Sequence, residues 1–390
     1  MDESRRELAF AVEEYKGRLR NVQQEMQRRG IDLLMVFWPE NIYYLTGYHT
    51  HGYFRFQVLL VPSDKDPVLI VRAIDRQIAL DLTWLGKCEV YPDNEDPLDV
   101  TVRVLKDHGW EQVRTGVELD GWFLTTRNFL ILRQRLWKTD PIDASQLINR
   151  ARLVKSEQEL IYMRKAARAV EASMQAGLDA IRVGVPEHAV AAEMHRGLFD
   201  AGSEYLGHPP LIGSGPRSDL YRVFDTWSDR VIQADDPVTI EPGGCVKRYH
   251  ALFVRTIHMG PPKDKTFLKL VDLSLEGLRA GMSCMRAGAT SAEVYDAVKG
   301  PARKAGFDHH TATSRCGYSI GIGFPPDWGE GRTQSIKQDD PTVLQENMTF
   351  HLMPSLWYED KALICFSETV RVTKTGAEAL TNFPRELFVR

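Results

Sequence analysis

The apolar positions of the chain change period several times, and each change marks an element. Over residues 11–29 they recur every three or four positions, as on one face of an amphipathic helix. The run from Asp32 to Phe37 is then almost continuously apolar, as in a buried strand, and Gln57–Val61 and Pro67–Val71 repeat that pattern. A more polar helical stretch over residues 96–109 leads to a further strand at Thr115–Leu119. Strands and helices alternating in this way predict a mixed α/β layer domain over residues 1–150.

A second pattern begins there and runs over residues 151–390. Ser156 with Glu159 three positions later forms a capping box, so a helix is predicted from Glu157, with Leu160, Met163, Ala167 and Val170 along one face. Residues 173–202 and 274–306 are self-similar. Each places an arginine two positions before a glycine (Arg182 and Gly184, Arg286 and Gly288), and each closes its second helix on an Ala-Gly pair at Gly202 and Gly306. Glycine at a helix end fits a left-handed cap. Helix, glycine turn, helix and strand occurring twice predict a pseudo-twofold domain with its site between the halves.

Composition narrows the function classes. A length of 390 residues suits two cores, and 43% hydrophobic with 26% charged residues is a globular balance. The 49 basic and 53 acidic residues are interspersed and leave a net charge of -4, with no basic stripe, which argues against nucleic acid as a partner. No apolar run approaches the roughly 18 residues of a membrane span, and the amino-terminal segment has no signal-peptide core. The five cysteines are scattered, without a C-x-x-C pair, so neither a disulfide framework nor a zinc ribbon is expected. A cytoplasmic protein with reduced thiols is the resulting expectation.

Four segments carry a resemblance: Arg152–Glu157, Ile240–Gly244 with Arg255-Thr256 downstream, Cys316–Gly321, and Glu368–Glu378. In this order they resemble the creatinase/aminopeptidase superfamily. The resemblance implies a creatinase-type α/β N-terminal domain and a C-terminal pita-bread domain. It also implies a homodimer in which one subunit's N-terminal domain overhangs its partner's site. Gly244–His250, Gly317–Glu330, Met348–Met353 and Phe383–Val389 are similar to the ectoine hydrolases of that superfamily.

Metal-dependent members hold two divalent ions with two Asp, one His and two Glu. Placed on that pattern, this chain offers Glu241, Leu252, Tyr318, His351 and Glu368. Leucine donates nothing and only two carboxylates remain, so a bridged metal pair is not expected and no cofactor is assigned. The resemblance implies Glu241 as a nucleophile on an amidine carbon, with His351 and Glu368 moving protons. Each has a structural alternative: Glu241 in an ion pair with an arginine, His351 as a core histidine, and Glu368 paired with Arg371 across a sheet. Tyr318 is either a hydroxyl donor or a packing residue.

For the small-molecule substrate, the Gly/Pro-rich stretch Gly317–Gly331 reads as a functional loop whose Phe324 and Trp328, with Trp357 and Trp227, would build an aromatic wall for a cation. His250 would flank the pocket or fill a strand face. Where creatinases and ectoine hydrolases carry a histidine ahead of the acidic strand, this chain has Phe224 or Arg222, and Arg217 or Arg222 would clamp a substrate carboxylate. Phe54 and Arg55, in the His-rich segment Gly47–Arg55, are implied to reach the partner's pocket. The expected activity is metal-independent hydrolysis of a C–N bond in a small cyclic amidine or guanidino acid, as in ectoine opened to N-acetyl-2,4-diaminobutyrate. The alternatives are an Xaa-Pro dipeptidase-like metallopeptidase and a non-catalytic ligand-binding relative.

Overall fold

The computed structural model describes residues 6–136, 140–219, 222–311, 314–358 and 360–390. Two compact units divide the chain, Met1–Arg152 and Leu153–Arg390. In the first, continuous apolar runs become the interior of a six-stranded sheet. Its order is Glu89–Tyr91, Val68–Arg72, Val58–Pro62, Leu33–Val36, Thr115–Val117 and Ile142–Asp143. The three central strands are antiparallel to one another and the outer pairings are parallel. Strands buried on both faces lose polar alternation, which is why Leu33–Val36 reads as an unbroken apolar run. The helices Val12–Arg28 and Pro97–Asp107 fall within a residue or two of their amphipathic patterns.

The second unit holds the predicted duplication. Helices Glu157–Ala180 and Glu187–Asp200 pack as one pair, and Lys265–Cys284 and Ser291–Lys304 as the other. One pair precedes the four-stranded sheet that contains Leu211–Ser214, Pro237–Glu241 and Arg255–His258. The other precedes the five-stranded sheet that contains Arg315–Ser319, Thr349–Leu352 and Glu368–Val372. The capping box forms as expected: Ser156 Oγ accepts from the Glu159 N–H at 3.2 Å, and Glu159 Oε2 accepts from the Ser156 N–H at 2.8 Å. Leu160, Met163, Ala167 and Val170 are all buried.

Gly184 and Gly288 both sit at φ +88°, and a Cβ at either would meet no atom within 4 Å. Their requirement is therefore backbone conformation and not space. Gly184→Ala and Gly288→Ala are expected to cost about 1–2 kcal/mol each, read as a lowered midpoint in chemical denaturation.

Candidate active site

Glu241 is the last residue of the strand Pro237–Glu241, where Pro242 removes the next ladder donor. Tyr318 and His351 lie directly opposite each other on the antiparallel strands Arg315–Ser319 and Thr349–Leu352, so both side chains leave the sheet on one face. His351 Nδ1 stands 3.1 Å from Tyr318 Oη and 3.7 Å from Glu241 Oε1, and its Nε2 lies 2.7 Å from Ser367 Oγ. The Trp328 indole N–H donates to Tyr318 Oη at 3.1 Å.

Glu241, Tyr318 and Trp328 open onto a cavity of about 370 Å³, while His351 and Ser367 are buried outside its wall. Its wall includes Glu241, Tyr318, Trp328, His208, Phe224, Arg315, Asp327, Arg332 and Met353. Burial pushes the Glu241 carboxyl up to about 8. Burial and the nearby Arg315 charge hold His351 down at about 3, so its imidazole is neutral throughout the physiological range. Tyr318 is raised well above its usual value by burial first and by the Glu241 charge second.

The loop leaving Tyr318 is fixed from beneath. Lys155 Nζ donates to Glu330 Oε2 at 2.6 Å inside the protein, and Ser319 Oγ donates to the same oxygen at 2.9 Å. Gly317–Ser319 belong to a strand, which corrects the expectation that the whole stretch Gly317–Gly331 is irregular. A second loop packs against it because Gly207 has no side chain; a Cβ there would lie 2.2 Å from the Asp327 carbonyl oxygen. Through this contact the His208 ring reaches 4.5 Å from the Trp328 ring.

Several expected residues stand elsewhere. In the ladder Leu352 faces Glu368 while His351 faces Thr369, so the pleat sends Glu368 to the opposite face from His351. There Glu368 Oε1 accepts from Arg255 at 2.6 Å and Arg385 at 3.0 Å, and Oε2 accepts from the Thr381 hydroxyl. It is neither in the cavity wall nor paired with Arg371, which binds Asn347, Glu378 and Glu157 instead. His250 is a structural clamp: Nδ1 lies 3.0 Å from the Arg248 carbonyl and Nε2 accepts from the Gly207 N–H at 3.0 Å. Phe324 is buried against the Arg248 guanidinium, 4.8 Å from its ring centre, and takes no part in the wall.

Trp357 donates to Asp219 Oδ1 at 2.5 Å, packs against the cluster that holds Leu211 and Leu363, and is not part of the cavity wall. Trp227 packs on His195. Arg217 is held by Glu187 at 3.0 Å and Asp225 at 3.1 Å, and Arg222 is exposed outside the cavity wall. Phe54 and Arg55 are exposed on the first unit, the guanidinium 5.2 Å from the ring centre.

Arg315, Arg332, Met353, His208 and Ser367 were not anticipated. Met353 follows His351 by two positions, the strand period, which is a signal the sequence carries. Arg315 is three positions from Tyr318 and would point away from it. The irregular register between Arg315 and Gly317 re-phases the strand, and the guanidinium comes to 5.1 Å from the Tyr318 ring centre.

The positions expected to hold two divalent ions do not fit that group. Leu252 offers no donor, both His351 nitrogens meet hydroxyls, and both Glu368 oxygens are engaged. Among the described residues no three His, Cys, Asp or Glu side chains converge as a metal site.

Comparisons with known proteins place the chain. Residues 161–374 match metallopeptidase family M24, and residues 18–154 match the creatinase/prolidase N-terminal domain. Ectoine hydrolase of Halomonas elongata is 35% identical, with 98% of this chain and 99% of that protein aligned. An Xaa-Pro dipeptidase of Lactobacillus delbrueckii is 26% identical over 95% of this chain and 98% of its own length. The crystal structure of a prolidase from Thermococcus sibiricus superposes with a TM-score of 0.86 at 21% identity, covering 96% of this chain and 99% of that one. The fold is therefore the creatinase N-terminal domain joined to the pita-bread domain, and the chain belongs to metallopeptidase family M24.

Proposed function

We propose that this chain is a metal-independent hydrolase that opens a small cyclic amidine acid of the ectoine type, yielding N-acetyl-2,4-diaminobutyrate from ectoine. That it hydrolyses C–N bonds follows from its family and its ectoine hydrolase relative. The observation that carries the finer reading is Glu241, a poorly solvated carboxyl on the wall of a cavity that also presents Arg315 and Arg332. An amidinium cation supplies a partner charge for this carboxylate, and guanidinium groups suit the substrate's own carboxylate. Trp328 and Phe224 give the cation aromatic faces.

With the amidinium seated, Glu241 ionises and its oxygen attacks the ring carbon, the C=N pair moving onto nitrogen. Water then resolves the ester-like adduct. The neutral His351 orients Tyr318, while Glu368 holds the sheet and the carboxy-terminal segment together. We further assign the domain over residues 1–150 a dimer and lid role, with Phe54 and Arg55 reaching the partner's cavity in a cytoplasmic homodimer. Light scattering of the purified protein at twice the monomer mass supports that assembly, and a monomer that turns over ectoine normally removes the role given to Phe54 and Arg55.

The decisive assay is ectoine turnover by protein dialysed against EDTA and checked for metal content. Full activity without bound divalent ions is expected. Loss of activity on dialysis, restored by manganese or zinc, returns the chain to the metal-dependent peptidase reading. Arg332→Ala is expected to raise KM by at least about tenfold with kcat less affected, since it removes one charged contact made equally in ground and transition states.

A further inference from the structure

Opening the ring leaves an unsolved proton: the departing nitrogen must receive one, and neither Glu241, once bonded to carbon, nor Glu368, on the far face of its sheet, can give it. This inference rests on the amidine reading. We propose that Tyr318, set in the cavity wall with Glu241 and hydrogen-bonded to Trp328 and His351, is the general acid for ring opening and then the base for water, with Ser367 as its positioning residue.

The hydrogen-bond directions support the assignment. Ser367 Oγ accepts from the Val254 N–H at 2.7 Å, which leaves its own hydrogen for His351 Nε2 at 2.7 Å. The Cys365 thiol, pushed up to about 12 by burial, stays protonated and is the weaker acceptor for that hydrogen. With Nε2 accepting, the neutral imidazole carries its proton on Nδ1 and donates to Tyr318 Oη at 3.1 Å. The Trp328 N–H donates to the same oxygen at 3.1 Å. Two N–H donors fill the acceptor sites of the phenol oxygen, so its O–H is turned toward the cavity.

The same arrangement stabilises the phenolate after the proton leaves. Two N–H groups point at the oxygen, and the Arg315 guanidinium lies 5.1 Å from the ring centre. Beyond burial, the charge on Glu241 opposes ionisation of Tyr318. That charge disappears when Glu241 becomes bonded to carbon, so the phenol gains acidity at the step that needs it.

Attack by Glu241 on the amidinium gives a neutral adduct. The C–N bond breaks with its electron pair on the departing nitrogen, which takes the Tyr318 proton, leaving a protonated imidate ester facing a phenolate. Water adds to that carbon and returns a proton to the phenolate. The C–O bond to Glu241 then breaks, its pair restoring the carboxylate, and the proton left on the amide passes to the released amine.

The test compares two leaving groups: ectoine, whose alkyl nitrogen cannot depart as an anion and needs an acid in the site, and an acetamidine whose departing 4-nitroanilide is stabilised by its ring and can take its proton from solvent. Tyr318→Phe is expected to lower kcat for ectoine on the order of 10²–10⁴-fold with KM little changed, while slowing the first-turnover release of nitroaniline by less than about tenfold. Ser367→Ala should show the same selectivity with a smaller loss, which guards against a folding defect in one variant. Equal losses for both substrates in both variants overturn the assignment. If wild-type protein turns over neither compound, the amidine reading itself falls, a result distinct from a failure of Tyr318.

Discussion

Glu241→Gln is expected to abolish ectoine turnover, lowering kcat on the order of 10⁴-fold or more, because it removes the atom that bonds to the substrate. Its pH signature separates this from simple loss of a contact. Burial raises the Glu241 carboxyl to about 8, so the empty enzyme carries it protonated at neutral pH. For a substrate that stays cationic, wild-type kcat/KM should climb with pH through an inflection near that value. The linked stability has the opposite sense. A carboxyl whose folded value exceeds its unfolded one contributes most below the unfolded value and loses that contribution as pH rises through the folded one. Between those limits wild-type stability should fall by up to about 1.4 kcal/mol per pH unit relative to Glu241→Gln, measured by denaturant titration from pH 5 to 9. A flat difference between the two proteins would show that Glu241 is well solvated and unsuited to the role.

Glu368→Gln is expected to act on folding. The carboxylate and Arg255 are both wholly buried, and Arg385 shares the same oxygen. Removing one partner leaves a buried guanidinium uncompensated, a cost of about 3–5 kcal/mol. The measurement is the unfolding midpoint, with kcat taken per folded molecule. A variant as stable as wild type but catalytically dead would return Glu368 to the chemistry.

The fold was legible because it rests on long signals. The unbroken apolar run Leu33–Val36, the Ser156–Glu159 box and the paired glycines at 184 and 288 each report local physics that tertiary contacts do not override. The site was legible where a residue's direction followed from strand pairing alone, as for Tyr318 opposite His351. It was not legible where direction depended on one residue of register. Glu368 lies one step from the position that faces His351, and motif position carries no information about which way the pleat turns it. Arg315 enters the wall only through an irregularity in its strand. Aromatic content was an equally weak guide: Phe324 and Trp328 are four positions apart in the same loop, yet one is packed on Arg248 and the other lines the cavity. At Leu252 side-chain chemistry alone carries the argument, since an aliphatic group is no ligand whatever its surroundings.

The Arg255 guanidinium also donates to the carbonyl oxygens of Phe383 and Pro384, and Phe388–Val389 pairs in parallel with Ile257–His258. Residues 383–389 thus tie the carboxy-terminal segment onto the sheet and over the buried Arg255. A truncation ahead of Phe383 would strip acceptors from a cation sealed in the protein, so shortened versions should aggregate on expression, and an affinity handle belongs after Arg390, separated by a flexible spacer.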